Sequence, residues 1–259
     1  MRITVLALGA AAALFATATA TAAKAGTHPQ RLAGPTNSTS SNWSGYDVTG
    51  GPFTSVSASW TQPPVTCATG ETSFSSFWVG LDGDTSSTVE QIGTDSDCIN
   101  GTPTYYAWYE LYPKGSAQLV TLAADASINA SVTTDGSGTF TLTITVNGVP
   151  TAVSGKVKHA SLASAEVIAE APSSNHGPNG ELGLANFGTV SFTGATVDNA
   201  ALGGQSPDEI TMVQGGTTLA LPSGITSGGD FSVGWNAASG PPSAHGGGHG
   251  HTGTNGPKH

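Results

Sequence analysis

Cationic side chains are scarce in the central part of this sequence. All 17 acidic residues lie between Asp47 and Asp230, whereas the only basic residues in that stretch are Lys114, Lys156 and Lys158. A nucleic-acid site needs a concentration of lysine and arginine to neutralise phosphates. The composition therefore excludes a basic groove for nucleic acid. The excess of carboxylates also predicts self-repulsion at neutral pH, which weakens when the acids are protonated.

The motifs of several hydrolase classes are absent as well. The sequence has no His-Glu-x-x-His motif, no cluster of cysteine and histidine, and no Gly-x-Ser-x-Gly nucleophile elbow. A glycine-rich phosphate loop is also missing, and the central region has only two histidines, His159 and His176. We therefore expect neither a metal nor a cofactor, and any catalysis has to come from carboxylates, amides or hydroxyls.

The two ends of the chain differ from its centre. Residues Ile3–Ala20 form an apolar run that is barely long enough to span a bilayer and is followed by small residues. This pattern favours a secretory signal peptide (1–25) over a membrane anchor, and it predicts an extracellular protein. A short linker or pro-segment (26–35) follows. The fold is expected over 36–237, and the Gly, His and Pro of 238–259 predict a disordered tail.

The sequence has only two cysteines, Cys67 and Cys98. In an exported chain such a pair predicts one structural disulfide. A bond closing a loop of this length stabilises a fold by about 3–4 kcal/mol in the chain-entropy model. We expect this bond to tie together the loops around Gln91.

Strict alternation of apolar and hydroxyl-bearing residues dominates the central region. It is clearest in three runs, 55–60, 126–133 and 139–146. Period two of this kind predicts half-buried antiparallel strands, and Asp135-Gly136 and Asn147-Gly148 are typical of hairpin turns between them. No convincing helical periodicity is present. The pattern predicts an all-β sandwich or barrel.

Three further strands have an unusual second face. The runs 77–82, 105–112 and 165–170 each carry small or aliphatic residues on one face, but aromatic and acidic residues on the other. The residues of this second face are Trp78, Gly80, Asp82, Tyr106, Trp108, Glu110, Tyr112, Glu166, Ile168 and Glu170. Tryptophan beside carboxylates predicts a groove for an extended polymer, although a core tryptophan beside edge charges gives the same pattern.

Several activities are compatible with such a groove. One alternative is a polysaccharide-binding module that stacks sugars on Trp78 and Trp108, and another is a β-sandwich glycosidase. A glycosidase needs two carboxyls about 5–9 Å apart. Glu166 and Glu170 share a face but lie about 13 Å apart along a strand, so that this pair would need partners on neighbouring strands. Asp84-Thr85-Ser86 matches the Asp-Thr-Gly of aspartic peptidases only in part, and one domain is too short for their two lobes.

Six segments in order resemble the glutamic peptidase family, the eqolisins, which are acid endopeptidases first known from fungi. They are Ser41-Asn42-Trp43-Ser44-Gly45, Phe77-Trp78-Val79-Gly80-Leu81-Asp82-Gly83-Asp84, Glu90-Gln91-Ile92-Gly93, Ala107-Trp108-Tyr109-Glu110-Leu111-Tyr112-Pro113, Ala165-Glu166-Val167-Ile168-Ala169-Glu170 and Ala185-Asn186-Phe187-Gly188. Together they span most of 36–237. The resemblance implies a sandwich of two curved antiparallel sheets with a substrate groove on the concave face.

The resemblance also implies site residues. The catalytic glutamine of the family falls on Gln91 and its glutamate on Glu170, while its groove residues fall on Trp78, Asp82, Trp108 and Glu110. In the implied reaction Glu170 activates a water and Gln91 stabilises the oxyanion. The expected protein is a secreted monomer that hydrolyses proteins or peptides at acid pH.

The sequence departs from the family pattern in two places. Fungal members have aspartate immediately before Ala-Trp-Tyr-Glu, where this chain has Tyr106. They also resemble zymogens with a sizeable basic pro-segment, whereas only the short stretch 26–35 precedes the domain here. We therefore expect changed hydrogen bonding near Tyr106 and no activation by removal of a long pro-segment.

Overall fold

A computed structural model describes residues 38–84, 86–173 and 182–236. The expected signal peptide, linker and tail lie outside the described residues, as do Thr85 and His176. No helix among the described residues is long and apolar enough to cross a membrane.

The described residues form β-strands and one 3₁₀ turn, Leu202–Gly204. The strands are β1 (Ser38–Ser40), β2 (Trp43–Thr49), β3 (Ser55–Thr61), β4 (Ser76–Leu81), β5 (Val89–Ile99), β6 (Thr102–Tyr112), β7 (Ala117–Thr121), β8 (Ser127–Thr134), β9 (Thr139–Val146), β10 (Val149–Lys156), β11 (Ser164–Glu170), β12 (Thr189–Val197), β13 (Ala200–Ala201), β14 (Asp208–Gln214), β15 (Thr217–Pro222) and β16 (Phe231–Trp235).

The alternating runs form strands as the sequence predicts. In β3, β8 and β9 the apolar side chains are buried, except that Val146 at the end of β9 is partly buried, and the serines and threonines between them are partly or fully exposed. Asn147 and Gly148 both have positive φ and form the tight turn between β9 and β10. Period-two patterning therefore locates the strands of this layer correctly.

One hydrogen-bonded path connects most of the strands. Its order is β10-β9-β8-β3-β12-β16-β15-β14-β2-β11-β4-β5-β6-β7, with β1 on β14 and β13 on β12. The path folds over on itself, so that β4 and β5 pack against β8 and β9. The β-sandwich is confirmed, with the difference that its two layers are joined by hydrogen bonds through β16, β15 and β14.

Apolar side chains are buried on both sides of the layer that contains β11, β4, β5 and β6. The main core lies between the two layers and includes edge-to-face contacts such as Phe77 with Phe187. A smaller cluster lies on the opposite face and consists of Trp43, Trp78, Tyr106, Trp108, Ile168 and Ile210. Burying both faces explains why these strands lack the hydroxyl-rich solvent face of β3, β8 and β9.

The predicted disulfide between Cys67 and Cys98 is confirmed, with Cα atoms 5.6 Å apart. It joins the loop after β3 to the end of β5. The expectation that it ties the loops around Gln91 is wrong, because Gln91 lies near the other end of β5. The bond instead fixes the end of the sandwich where Thr66 pairs with Asn186.

Candidate active site

The register of four neighbouring strands places three rows of side chains on one face. Running across β11, β4, β5 and β6, the rows are Glu166–Gly80–Gln91–Glu110, Ile168–Trp78–Gly93–Trp108 and Glu170–Ser76–Asp95–Tyr106. On the far side of β11, strand β2 continues the rows with Asp47, Gly45 and Trp43. Because side chains two apart on a strand share a face, Gln91 and Glu170 lie on the same side of the sheet.

The Gln91 side chain is held by a neighbouring carboxyl. Its Nε2 donates to Oε2 of Glu110 at 2.9 Å, directly across the β5–β6 ladder. Both residues are completely buried. The contact fixes the direction of the amide, since an –NH₂ group that points one N–H at a carboxylate has the other N–H in a defined position.

Both carboxylate oxygens of Glu170 accept hydrogen bonds from N–H donors. Nε1 of Trp78 donates to Oε2 at 2.7 Å, and Nδ2 of Asn42 donates to Oε1 at 3.2 Å. The orientation of the Asn42 amide is set in turn by Ser40, whose hydroxyl donates to its Oδ1 at 2.9 Å. Hydrogen bonds of this kind favour the ionised carboxylate, which is the form that accepts a proton.

The sequence did not identify Asn42 as a site residue. It lies in the segment Ser41-Asn42-Trp43-Ser44-Gly45 that contributes to the family resemblance. A single asparagine just before a strand has no facing that alternation could assign, because it precedes the first residue of β2. Only the pairing of β2 with β11 brings it to Glu170.

Trp78 lies on the strand between the two candidate catalytic residues. Its ring packs edge to face against Trp43, with centroids 5.0 Å apart and an interplanar angle of 76°. It therefore reaches across β11 to Trp43 on β2, while its indole N–H donates to Glu170 on β11. Trp78 is a structural part of the site as well as a predicted groove residue.

Trp108 is held by an aspartate that the sequence did not single out. Its Nε1 donates to Oδ1 of Asp95 at 2.6 Å. Tyr106, at the position where fungal members carry aspartate, donates its hydroxyl to Oδ2 of Asp97 at 3.2 Å. The carboxyls beside Trp108 and Tyr106 therefore belong to Asp95 and Asp97 of β5, whereas residue 106 of β6 supplies a hydroxyl.

Asp97 is further held by the backbone N–H of Ser75, which donates to Oδ1 at 3.2 Å. Burial, and then the neighbouring Asp95 carboxyl, raises the pKa of Asp97 well above its usual value. Burial and the same two carboxyls raise the pKa of Tyr106, so that its hydroxyl remains a donor at every relevant pH. The two aspartates and the tyrosine form one buried polar unit beside Trp108.

The carboxylate of Asp82 is held by the loop before β11. β4 ends at Leu81, and Asp82 follows in a left-handed conformation with φ 59°. Its carboxylate accepts the backbone N–H groups of Leu162 and Ala163, both at 2.8 Å. Its observed contacts hold the turn before β11.

Two more buried acids lie near Asp82. Burial, and then the charge of Asp82, raises the pKa of Glu90 to about 8. Burial raises the pKa of Glu166 well above its usual value, with a smaller contribution from Asp47. Lys114, Lys156 and Lys158 are the only lysines of the described residues, and all three are exposed, so that burial rather than ion pairing governs these carboxyls.

The side chains of this face are deeply buried. Trp78, Gln91, Trp108, Glu110 and Glu170 each have 0% of their surface exposed. Within residues 38–84, 86–173 and 182–236 no opening onto the face is visible, and the substrate groove stays a prediction. Among the described residues, no group of three or more His, Cys, Asp or Glu side chains is arranged to hold a metal ion.

Comparison with known proteins connects this arrangement to one family. The profile of the Peptidase A4 family matches residues 41–235. Aspergillopepsin-2 of Aspergillus niger is 30% identical over 218 residues, which cover 73% of this chain and 76% of that protein. Scytalidopepsin B of Scytalidium lignicola is 40% identical over 107 residues, and that match covers 39% of each protein.

A solved structure is similar over most of the described fold. The crystal structure of scytalido-glutamic peptidase with a peptide-based transition-state analogue superimposes with a TM-score of 0.63. The two sequences are 27% identical, and the match covers 76% of this chain and 98% of the other.

Proposed function

The chain belongs to the Peptidase A4 family, and we propose that it is a secreted acid endopeptidase with Glu170 as general base and Gln91 as oxyanion stabiliser. One observation carries the proposal. Glu170 is a buried carboxylate with an N–H donor on each oxygen, and it shares a sheet face with an amide whose direction is fixed. Side chains held in this way meet the requirement that catalytic groups be positioned before the substrate arrives.

The proposed reaction begins with a water molecule between the two side chains. Glu170 takes a proton from this water as its oxygen attacks the carbonyl carbon of the scissile peptide. The electrons of the carbonyl double bond move to its oxygen, and the Gln91 N–H stabilises the negative charge that develops there. When the tetrahedral intermediate collapses, the C–N bond breaks, and protonated Glu170 gives its proton to the leaving amine.

Glu110 supports the role of Gln91. One N–H of the Gln91 amide is directed at Glu110, so the side chain cannot rotate freely. Rotation would cost the oxyanion its donor at the moment when charge develops. We therefore assign Glu110 to positioning Gln91, in addition to its expected place in the substrate groove.

The substrate class follows from the relatives and from the sheet face. Scytalido-glutamic peptidase is described with a peptide-based transition-state analogue, and the same function in this chain would place an extended peptide across Trp78 and Trp108. Asp82 is the least supported of the four groove residues, because its carboxylate is engaged by the loop at 162–163. We further propose that the enzyme acts as a monomer without a cofactor.

Acid conditions suit this chemistry. A carboxyl group ordinarily titrates near pH 4.3, so a glutamate base can work where a histidine base would be protonated and inactive. The excess of acidic residues over three lysines in the domain fits the same conditions. The apolar run at the N-terminus supports export to such surroundings.

The decisive experiment replaces Glu170 with its nearly isosteric amide. Digestion of denatured casein or haemoglobin at about pH 3–4 should be abolished in Glu170→Gln, because an amide cannot accept the proton from water. The matched control is Glu166→Gln on the same strand face, which should keep at least a tenth of the activity. Matching melting temperatures would show that both variants are folded.

Two results would overturn the proposal. Near-normal digestion by Glu170→Gln would place the general base elsewhere. A folded wild-type protein that cleaves no peptide but binds or hydrolyses polysaccharide would show that the groove serves a different polymer.

A further inference from the structure

Gly80 lies at the centre of the proposed site, between Glu166 on β11 and Gln91 on β5. A Cβ atom at this position would lie 2.8 Å from Cζ3 of Trp78 and 3.3 Å from Cβ of Gln91. Contacts below 3.0 Å essentially never occur for real Cβ atoms. The six-membered edge of the Trp78 indole therefore occupies the space that a side chain at residue 80 would need, next to the stem of Gln91.

The opposite edge of the same indole reaches Glu170. Nε1 of Trp78 donates to Oε2 of Glu170 at 2.7 Å, a distance near the short limit for an N–H donor and a carboxylate. An indole is a rigid plane. A push on Cζ3 is consequently transmitted to the N–H at the other side of the ring.

Trp78 has little room to absorb such a push. Its ring lies edge to face against Trp43. Its stem is backed by Gly93, where a Cβ atom would lie 2.5 Å from Cβ of Trp78 and 2.3 Å from the backbone oxygen of Phe77. The indole is thus enclosed by two glycines and a tryptophan, and it is completely buried.

We propose that Gly80 is a positioning residue, whose missing side chain lets the Trp78 indole lie between Gln91 and Glu170 and hold the Glu170 carboxylate. This inference rests on the proposed function, because it assigns Gly80 to the same general base. Any side chain at residue 80 displaces the indole. Since a bond of 2.7 Å cannot usefully shorten, displacement weakens the donor that favours the ionised carboxylate.

Glycine is required at residue 80 for the space that its missing side chain leaves, and not for its backbone conformation. Gly80 is not among the residues with positive φ, so an alanine can adopt its backbone geometry. What alanine cannot do is share the space of the ring. The effect of a substitution at residue 80 must therefore depend on the side chain at residue 78.

A double-mutant cycle tests this dependence. Gly80→Ala, Trp78→Phe and the double variant are compared in peptide hydrolysis between about pH 2 and pH 7. We expect both Gly80→Ala and Trp78→Phe to lower kcat/KM at least tenfold. Both should also move the acid limb of the pH–rate profile, which is the fall in kcat/KM at low pH, to higher pH. The double variant should be no worse than Trp78→Phe alone, because the indole that transmits the effect is already gone.

The control is Gly115→Ala, at an exposed glycine where an added Cβ meets nothing within 4 Å. It should leave both the rate and the acid limb unchanged. The proposal is overturned if the effects of Gly80→Ala and Trp78→Phe multiply, or if Gly80→Ala lowers the rate without moving the acid limb.

Folding of the variants gives a second criterion. If Gly80→Ala does not fold but the double variant does, the smaller ring has relieved the clash and the proposal is supported. If neither folds, the space at residue 80 is needed for something other than the indole, and the proposal is wrong.

A measurement without substrate separates this inference from the proposed function. The Trp78 indole N–H resonance, assigned by its loss in Trp78→Phe, should titrate with pH in the wild type and stop titrating in Glu170→Gln. In Gly80→Ala its midpoint should move to higher pH. A wild type that shows this titration but cleaves no peptide disproves the peptidase function alone, whereas an unmoved midpoint disproves the role of Gly80.

Discussion

Gln91 stabilises the oxyanion in the proposed reaction. It donates to Glu110 in the resting structure, and its charge partner, the oxyanion, exists only in the transition state. Interactions of that type act on kcat more than on substrate binding. Its contribution can therefore be separated from a general effect on the fold.

Replacing Gln91 with alanine should lower kcat by about 10²–10³, the typical cost of one lost oxyanion donor. KM should change much less. Steady-state kinetics on a peptide substrate at acid pH measures both. Gln205→Ala removes the same amide group from the turn after β13 and should leave both constants unchanged; an equal loss in that control would indicate damage to the fold.

Tyr106 offers a second test at the level of one residue. Tyr106→Phe removes the hydroxyl that donates to Asp97 and leaves a buried carboxyl without that partner. We expect the free energy of unfolding to fall by about 1–3 kcal/mol, the usual cost of an unsatisfied buried polar group. Denaturant unfolding at pH 4 measures it.

The control for this change is Tyr112→Phe at the end of β6. The Tyr112 hydroxyl makes no hydrogen bond within the described part of the chain, so the free energy of unfolding of Tyr112→Phe should stay within about 0.5 kcal/mol of the wild-type value. A Tyr106→Phe variant as stable as the wild type would show that Ser75 alone satisfies Asp97.

Among the structural elements, the regular strands could be predicted from the sequence and the meeting of distant strands could not. Period two places Phe140, Leu142 and Ile144 in the core because each faces inward from a single half-buried strand. The same rule puts Glu170 on one face with Trp78. It contains no information on β11 inserting between β2 and β4, a pairing of residues far apart in sequence.

The unpredicted contacts depend on strand pairing or on where strands end, and alternation specifies neither. Asn42 reaches Glu170 through the β2–β11 pairing, and Asp95 reaches Trp108 across the β5–β6 ladder. Asp82 was expected on the face of a strand, but β4 ends one residue earlier and its carboxylate turns to the loop at 162–163. Strand ends depend on turn geometry, which alternation does not record.

The disulfide provides a test of one element. It closes a separation of 31 residues, and its removal should cost about 3–4 kcal/mol in the chain-entropy model. In Cys67→Ser/Cys98→Ser we expect a melting temperature lower by about 6–15 °C. Activity below the transition should stay within a few-fold of the wild type, because Gln91 lies near the opposite end of β5 from Cys98.

Calorimetry of this variant measures its melting temperature, and peptide hydrolysis measures its activity. An unchanged melting temperature would mean that the unfolded chain gains no freedom when the bond is lost. A loss of activity without a loss of stability would show that the bond does affect the far end of β5.

For the whole molecule, the buried acids predict stability that depends on pH. The pKa of Glu90 is raised to about 8, and those of Glu166 and Asp97 are raised as well, all chiefly by burial. An acid with a raised pKa binds a proton in the folded state that it has already lost in the unfolded state. The contribution of these acids to the free energy of unfolding is therefore fully present below about pH 4.5 and is lost as the pH rises toward 8.

Unfolding followed from pH 4 to pH 8 should therefore show a steady fall in the free energy of unfolding, by at most about 1.4 kcal/mol per pH unit for each such group. Glu90→Gln should make the fall less steep, since the amide has no proton to lose. Asp125→Asn changes an exposed acid with positive φ, a conformation that asparagine tolerates, and should leave the slope unchanged. A wild type equally stable at pH 4 and pH 8 would contradict the shifted values.

The insertion of β11 between β2 and β4 also governs when the enzyme can first act during its own synthesis. Asn42, Trp78 and Gln91 leave the ribosome early, but the carboxylate at residue 170 and the strand that carries it follow much later. Until β11 has been made, β2 and β4 have no common neighbour, and the proposed general base Glu170 is absent from the sheet face of Gln91. Under the proposed mechanism, a nascent chain therefore cannot hydrolyse peptides before β11 has left the ribosome.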